Sequence, residues 1–229
     1  MIKSYCIGGD SWSCGEWLVD KFLPGGKQYD LHRLLLNKNK IVSDISFPGK
    51  DNQYTILKLK EHLDNSPLEY DFVIWFQSDP LRRPVFIEQL KSAKDFSLDY
   101  RYFVETSNSY LEDDYAHLND IGRTVYCIGG LSKINSTLIS KYNNLKVLVE
   151  SFPEILFPNS PHPSLCLGLW MKHIERQVQL DSLEKIRQDH AAMMKWASPE
   201  CSKFFNIGDS HPNKRAYKLL LEYILSIKQ

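Results

Sequence analysis

A serine near one end of this chain and a histidine near the other are the residues whose surroundings could carry covalent chemistry. Ser11 lies in Ile7-Gly8-Gly9-Asp10-Ser11, after the short apolar run Tyr5-Cys6-Ile7 and before a helical pattern with Trp17, Leu18 and Phe22 on one side. Strand, glycine turn, helix is the local reading. It presents Ser11 at a helix start, where unpaired backbone N–H groups and the positive end of the helix dipole can stabilise an oxyanion. The structural alternative is that Asp10 and Ser11 only cap the helix. His211 stands in Ile207-Gly208-Asp209-Ser210-His211-Pro212-Asn213, just before another helical pattern. A loop histidine with a carboxylate two residues earlier can act as a general base while the carboxylate orients its ring. Its alternative is a surface histidine beside a proline turn, of which His162-Pro163 is a second case. Cys14 lies one helical turn beyond Ser11, but no second histidine block points to it, so a thiol nucleophile is not expected.

The elements that must position these residues alternate between strand and helix. Leu31 to Leu36 continue a helical pattern, and Lys40 to Ser46 reads as a second strand ending at Phe47-Pro48-Gly49. A helix is expected from about Asp51 to Leu63, with Ile56, Leu57 and Leu59 as core candidates and Asn65-Ser66-Pro67 as its stop. Phe72-Val73-Ile74-Trp75-Phe76 is uninterruptedly apolar, the pattern of a parallel strand covered on both faces, and it ends at Gln77-Ser78-Asp79-Pro80. Helices are expected around Pro84 to Phe96 and Ser109 to Asn119. Thr124 to Gly130 is a fourth strand, ending in the same Ile-Gly-Gly as the first, and Lys146 to Val149 is a fifth. Pro153 to Pro163 is proline-rich and irregular, and a long, broken helical stretch is expected from about Leu165 to Trp196. The last helix starts near Asn213, a natural N-cap, with Tyr217, Leu220, Leu221, Ile224 and Ile227 on one face.

Five strands alternating with helices predict an open parallel sheet with helices on both faces, whose sites gather at the carboxyl ends of the strands. Ser11, Gly49, Ser78 and Gly129 all fall at such ends. Asp79 and Arg82, just beyond the third, read either as substrate contacts or, the favoured reading, as a solvated turn. No Walker lysine follows a glycine loop, and no G-x-G-x-x-G follows the first strand, so no nucleotide cofactor is expected.

Composition bounds the rest. The 229 residues are 43% hydrophobic, enough for one substantial core, so residues 1–229 are expected to form a single domain with a helical elaboration around 151–205. Basic and acidic side chains number 28 each, which argues against nucleic acid or an anionic membrane surface as partner. The five cysteines lack a C-x-x-C pair, which fits reduced thiols better than disulfides or a zinc site, and no metal is expected. No signal segment and no apolar run long enough to span a bilayer is evident, so a cytoplasmic protein is expected.

With Ser11 and His211 in hand, the chain resembles the SGNH, or GDSL, hydrolase superfamily of esterases and lipases over nearly its whole length. The resemblance rests on the Gly-Asp-Ser block at the first strand end, the glycine after the second strand, a block after the third, and Asp…His-Pro before the last helix. It implies a flavodoxin-like three-layer α/β/α fold, a catalytic serine at Ser11 with His211 as base, and an oxyanion hole from the backbone N–H groups of Ser11 and Gly49. The wording GDSWSCGEW and WFQSDP is similar to divergent bacteriophage-borne members, which would place the protein in the host cytoplasm. The G-x-S-x-G elbow of α/β-hydrolases is absent.

Two departures stand out. The family's Gly-x-Asn-Asp block is here Phe76-Gln77-Ser78-Asp79, so Ser78 occupies the place of the asparagine that completes the oxyanion hole, with Gln77 as a second candidate donor. The family's acid lies three residues before the histidine, where this chain has Gly208. Asp209 lies two before and, in an extended segment, could reach the ring; a serine–histidine dyad is the alternative. The expected function is cleavage of a small-molecule, lipid or carbohydrate ester through an acyl-enzyme on Ser11. The competing expectation is a non-catalytic binding module on the same fold.

Overall fold

The computed structural model describes residues 3–14, 31–47, 49–86, 88, 100–130, 132–152, 155, 212 and 214–226. Five strands form one sheet: β1 (Ser4–Gly9), β2 (Ile41–Ser46), β3 (Phe72–Gln77), β4 (Val125–Gly129) and β5 (Leu145–Val149). Every pairing is parallel and the order is β2-β1-β3-β4-β5, the flavodoxin-like order in which β1 lies between β2 and β3. The helices are α1 (Ser11–Cys14), α2 (Leu31–Leu36), α3 (Asn52–Asn65), α4 (Tyr100–Asn119), α5 (Ser136–Ile139) and α6 (Lys214–Ser226).

Alternation along the strands sorts the core into two layers, because successive side chains of a strand point to opposite faces. Tyr5, Ile7, Ile74, Phe76 and Ile128 pack on one face with Trp12, with Leu31, Leu34 and Leu35 of α2, and with Tyr217, Leu220 and Leu221 of α6. Cys6, Val73, Trp75, Val125 and Cys127 pack on the other with Ile56, Leu59 and Leu63 of α3 and Leu111, Tyr115 and Leu118 of α4. Helices on both faces of a parallel sheet make the three-layer α/β/α sandwich, and they explain why β3 is apolar from Phe72 to Phe76.

Local chemistry sets the boundaries. Asp51 caps α3, its side chain accepting from the Tyr54 N–H, so the helix begins where the sequence predicts. Its buried face differs from expectation at one residue: Leu57 is 53% exposed, and Leu63 takes its place. Residues 56, 59 and 63 keep the 3.6-residue period, whereas Leu57 lies a quarter-turn round the helix. The expected Ser109–Asn119 helix starts earlier, at Tyr100. Both Ile-Gly-Gly endings answer to close backbone approach. Gly9 has φ +146°, and a Cβ there would lie 2.8 Å from the Phe76 Cβ; a Cβ on Gly129 would lie 2.1 Å from the Glu150 carbonyl oxygen. Beyond residue 88 the Pro84–Phe96 helix, the Pro153–Pro163 stretch, the Leu165–Trp196 helical region, the Asn213 cap and Ile227 lie outside the described residues.

Cys6 and Cys127 are free and buried. Burial, followed by the nearby Asp44 carboxylate, pushes the Cys6 thiol up to about 12, which keeps it protonated and unreactive at neutral pH. Among the described residues no helix is long and apolar enough to cross a membrane.

Candidate active site

Because β1 is flanked by β2 and β3, three chain exits meet at one sheet edge, and each is held by its own short-range chemistry. At the end of β1, Asp10 is fully buried and takes the cap of α1: its Oδ1 accepts from the Trp12 N–H at 3.0 Å, and its carbonyl accepts from Ser13 N and Ser13 Oγ at 3.0 and 2.6 Å. The cap read for Asp10 is therefore present, and Ser11 is the first residue of the helix. The exit of β2 is pinned to that of β1 by the Phe47 N–H donating to the Gly9 carbonyl at 2.8 Å. Gly49 follows at φ +71°, a left-handed conformation that favours glycine, and it is exposed.

The exit of β3 is the most heavily tied. The Ser78 N–H donates to Asn52 Oδ1 at 2.7 Å, while its carbonyl accepts from Asn52 Nδ2 at 3.3 Å and Ser132 Oγ at 2.9 Å. Asn52, the first residue of α3, is thus a clamp between the β2 exit and the β3 exit. Its Nδ2 also donates to Asp114 Oδ2 at 2.9 Å, and Asp114 Oδ1 accepts from Arg83 Nη2 at 2.6 Å. Asp114 is fully buried; burial pushes its carboxyl above the ordinary value, and the Arg83 guanidinium pulls it back. Arg83 bonds Asp113 as well and lies 4.6 Å from the Tyr110 ring centroid. Burial works to lower the Arg83 pKa, and the two carboxylates outweigh it.

Asp79 and Arg82 correct the solvated-turn reading. Asp79 is fully buried and caps a 3-10 turn, Pro80–Arg82, through a 2.8 Å bond from the Leu81 N–H. Arg82 turns back over the sheet edge. Its Nη1 donates to Asp10 Oδ2 and to Ser78 Oγ, both at 3.2 Å, and its Nη2 lies 4.0 Å from where a Cβ on Gly49 would stand. One guanidinium therefore bonds the exits of β1 and β3 and approaches that of β2.

Gln77 points elsewhere. Its side-chain amide is committed: Nε2 donates to Ser132 Oγ at 2.7 Å and to the Lys133 carbonyl at 2.8 Å, and Oε1 accepts from Tyr115 Oη at 2.6 Å. Both amide hydrogens have partners, so this side chain offers no spare donor. The side chain of Ser11 and all of Asp209 and His211 lie outside the described residues. Sequence reading missed Asn52, Asp114 and Arg83, and set Arg82 aside. The available signal was the unusual density of polar residues following the exits of β2 and β3.

A groove of about 540 Å³ lies against α3 and α4, lined among others by Tyr54, Leu57, Lys60 and His117; none of Asp10, Gly49, Ser78 or Arg82 lines it. Among the described residues no cluster of histidine, cysteine and carboxylate side chains is arranged to hold a metal.

No protein family matches the chain, and no curated protein does. Among solved structures it is similar to the crystal structure of a lipase/acylhydrolase from Enterococcus faecalis, at 14% identity and a TM-score of 0.38, over 98% of this chain and 94% of that one.

Proposed function

We propose that this chain is a serine hydrolase that cleaves an ester through an acyl-enzyme on Ser11. The observation that carries the reading is the meeting of the three strand exits, where Asp10-Ser11, Gly49 and Ser78 are drawn together around Arg82. In the proposed reaction the Ser11 hydroxyl attacks the ester carbonyl and its proton passes to His211. The negative charge on the former carbonyl oxygen is met by the N–H groups of Ser11 and Gly49 and by the Ser78 hydroxyl. As the C–O bond breaks, His211 returns the proton to the departing alcohol, and water, activated by the same ring, releases the acid. Asp209 orients His211 in this scheme.

A bond far apart in sequence supports the pairing of Ser11 with His211. Tyr217 Oη, six residues after His211, donates to the Trp12 carbonyl at 2.7 Å, so α6 is fastened beside the turn that carries Ser11. Candidate substrates are small-molecule, lipid or carbohydrate esters; the reading takes residues 1–229 as one domain elaborated around 151–205, working in the cytoplasm, the host's if the gene is phage-borne.

A binding module on the same fold is the second reading, favoured by the serine at position 78 in place of the resembled family's asparagine. Labelling with a fluorophosphonate probe separates the two. Wild type should label and Ser11→Ala should not. Absence of labelling in folded wild-type protein, together with no turnover of acetyl or longer acyl esters, would overturn the hydrolase reading.

A further inference from the structure

The geometry points to Arg82 as a charged donor of the oxyanion hole, an inference that rests on the ester-hydrolase reading above. An arginine carries five N–H donors in a rigid fork. The two on Nη1 are used, one on Asp10 Oδ2 and one on Ser78 Oγ, which fixes the plane of the guanidinium. Among the described residues Nε and Nη2 have no hydrogen-bond partner, although the side chain is only 23% exposed. Nη2 is the end that faces Gly49. The unused Nη2 therefore lies on the Gly49 side while Nη1 holds Ser78, so the guanidinium reaches both of the groups proposed to flank Ser11 around the developing negative charge.

Physical chemistry favours the guanidinium over the hydroxyl for this task. A hydrogen bond from a charged donor to an oxyanion is roughly twice as strong as one from a neutral donor. Ser78, already accepting from Arg82, then acts as much to aim the cation as to donate. The buried Asp10 carboxylate holds the guanidinium in place before any substrate arrives, so little reorganisation is needed as charge develops. The proton inventory is unchanged by this role: Arg82 donates hydrogen bonds in the tetrahedral intermediate and keeps all its protons, while proton transfer runs through His211.

The test compares wild type, Arg82→Lys and Arg82→Ala with p-nitrophenyl acetate as substrate and a fluorophosphonate as label. Arg82→Ala should lower kcat by roughly 10²–10³, the loss expected for one oxyanion donor, with labelling slowed in parallel. KM should change by less than about threefold, because the interaction belongs to the transition state. Methylguanidinium added below denaturing concentrations should restore at least about tenfold of the kcat of Arg82→Ala in a saturable manner and leave wild type unaffected, whereas a merely structural arginine gives no such rescue. Arg82→Lys should retain part of the rate through its charge. If Arg82→Ala fails to fold because buried Asp10 loses this cation, the Asp10→Asn/Arg82→Gln double variant removes both charges and carries the same expectation for kcat. A folded variant within about threefold of the wild-type kcat, or a loss that methylguanidinium does not reverse, overturns the role of Arg82 while leaving the hydrolase reading intact. Failure of wild type itself to label or turn over overturns both.

Discussion

Replacing Asn52 by alanine should destabilise the protein far more than its single side-chain amide suggests. Asn52 is 1% exposed and makes three hydrogen bonds, two with the Ser78 backbone and one with Asp114. The Ser78 carbonyl keeps its bond from Ser132, so the alanine variant orphans one buried N–H and removes one donor from a buried carboxylate. An unsatisfied buried N–H costs about 1–3 kcal/mol and a lost bond to a charged group about 1.5–3 kcal/mol. Together they predict a loss of roughly 2.5–6 kcal/mol, a large share of the 5–15 kcal/mol typical of a whole domain. At about 2–4 °C per kcal/mol for a chain of this size, Tm should fall by roughly 5–24 °C. Urea unfolding followed by circular dichroism, with the m-value unchanged, is the measurement. Asn52→Asp adds a second arm. It keeps an acceptor for the Ser78 N–H but sets a carboxylate against Asp114, whose pKa is already raised from 3.8 by burial. The folded-state pKa of the pair then lies higher still, above the unfolded value, so the folded form binds more protons and stability falls as pH rises through that window. The deficit of Asn52→Asp should therefore shrink as pH falls, and more steeply than that of Asn52→Ala, which takes one donor from Asp114 without setting a second carboxylate against it. An alanine variant within about 1 kcal/mol of wild type, or two variants with parallel pH profiles, would refute the clamp.

Three other outcomes are expected, two from the proposed function and one from the fold. Ser78→Ala, which removes both a hydroxyl donor and the acceptor that aims Arg82, should lower ester turnover by roughly 10²–10³ in steady-state assays with little change in Tm. Asp209→Asn should lower the plateau of the pH–rate profile and move its acidic limb to lower pH, since loss of a neighbouring negative charge lowers the pKa of His211; a profile matching wild type would indicate a dyad. Gly129→Ala should cost about 1–3 kcal/mol in chemical denaturation, because its Cβ would meet the Glu150 carbonyl at 2.1 Å and backbone must move to admit it.

The frame was legible in the sequence where short-range physics decides the outcome. Phe72 to Phe76 has to be a strand covered on both faces, and Asp51 has to start a helix, because neither depends on distant partners. Leu57 was misplaced because three apolar residues crowd Ile56 to Leu59, and only the period extended to Leu63 shows which two face the sheet. That Gly49 and Ser78 come to one edge could be foreseen, since a parallel sheet delivers its chain exits there. The placement of Arg82 could not: it depends on Asp10, 72 positions earlier, and nothing local distinguishes an arginine in a surface turn from one folded back over a buried carboxylate. The same holds for Asn52, whose partner Asp114 lies 62 positions away.

The bond from Tyr217 to the Trp12 carbonyl sets a clock on the birth of the protein. It joins residues 205 positions apart, and the helix that makes it also covers Tyr5, Ile7, Ile74 and Phe76 on one face of the central strands. A ribosome adding about 5–20 residues per second needs roughly 10–40 s to travel from one partner to the other. Throughout that interval the first strands can pair, yet one side of their sheet stands bare of α6, and the turn bearing Ser11 lacks its anchor. Nascent chains in that state expose contiguous apolar surface that invites chaperones or self-association. The turn at the end of β1 thus becomes firm only once a residue made 205 positions later has reached it.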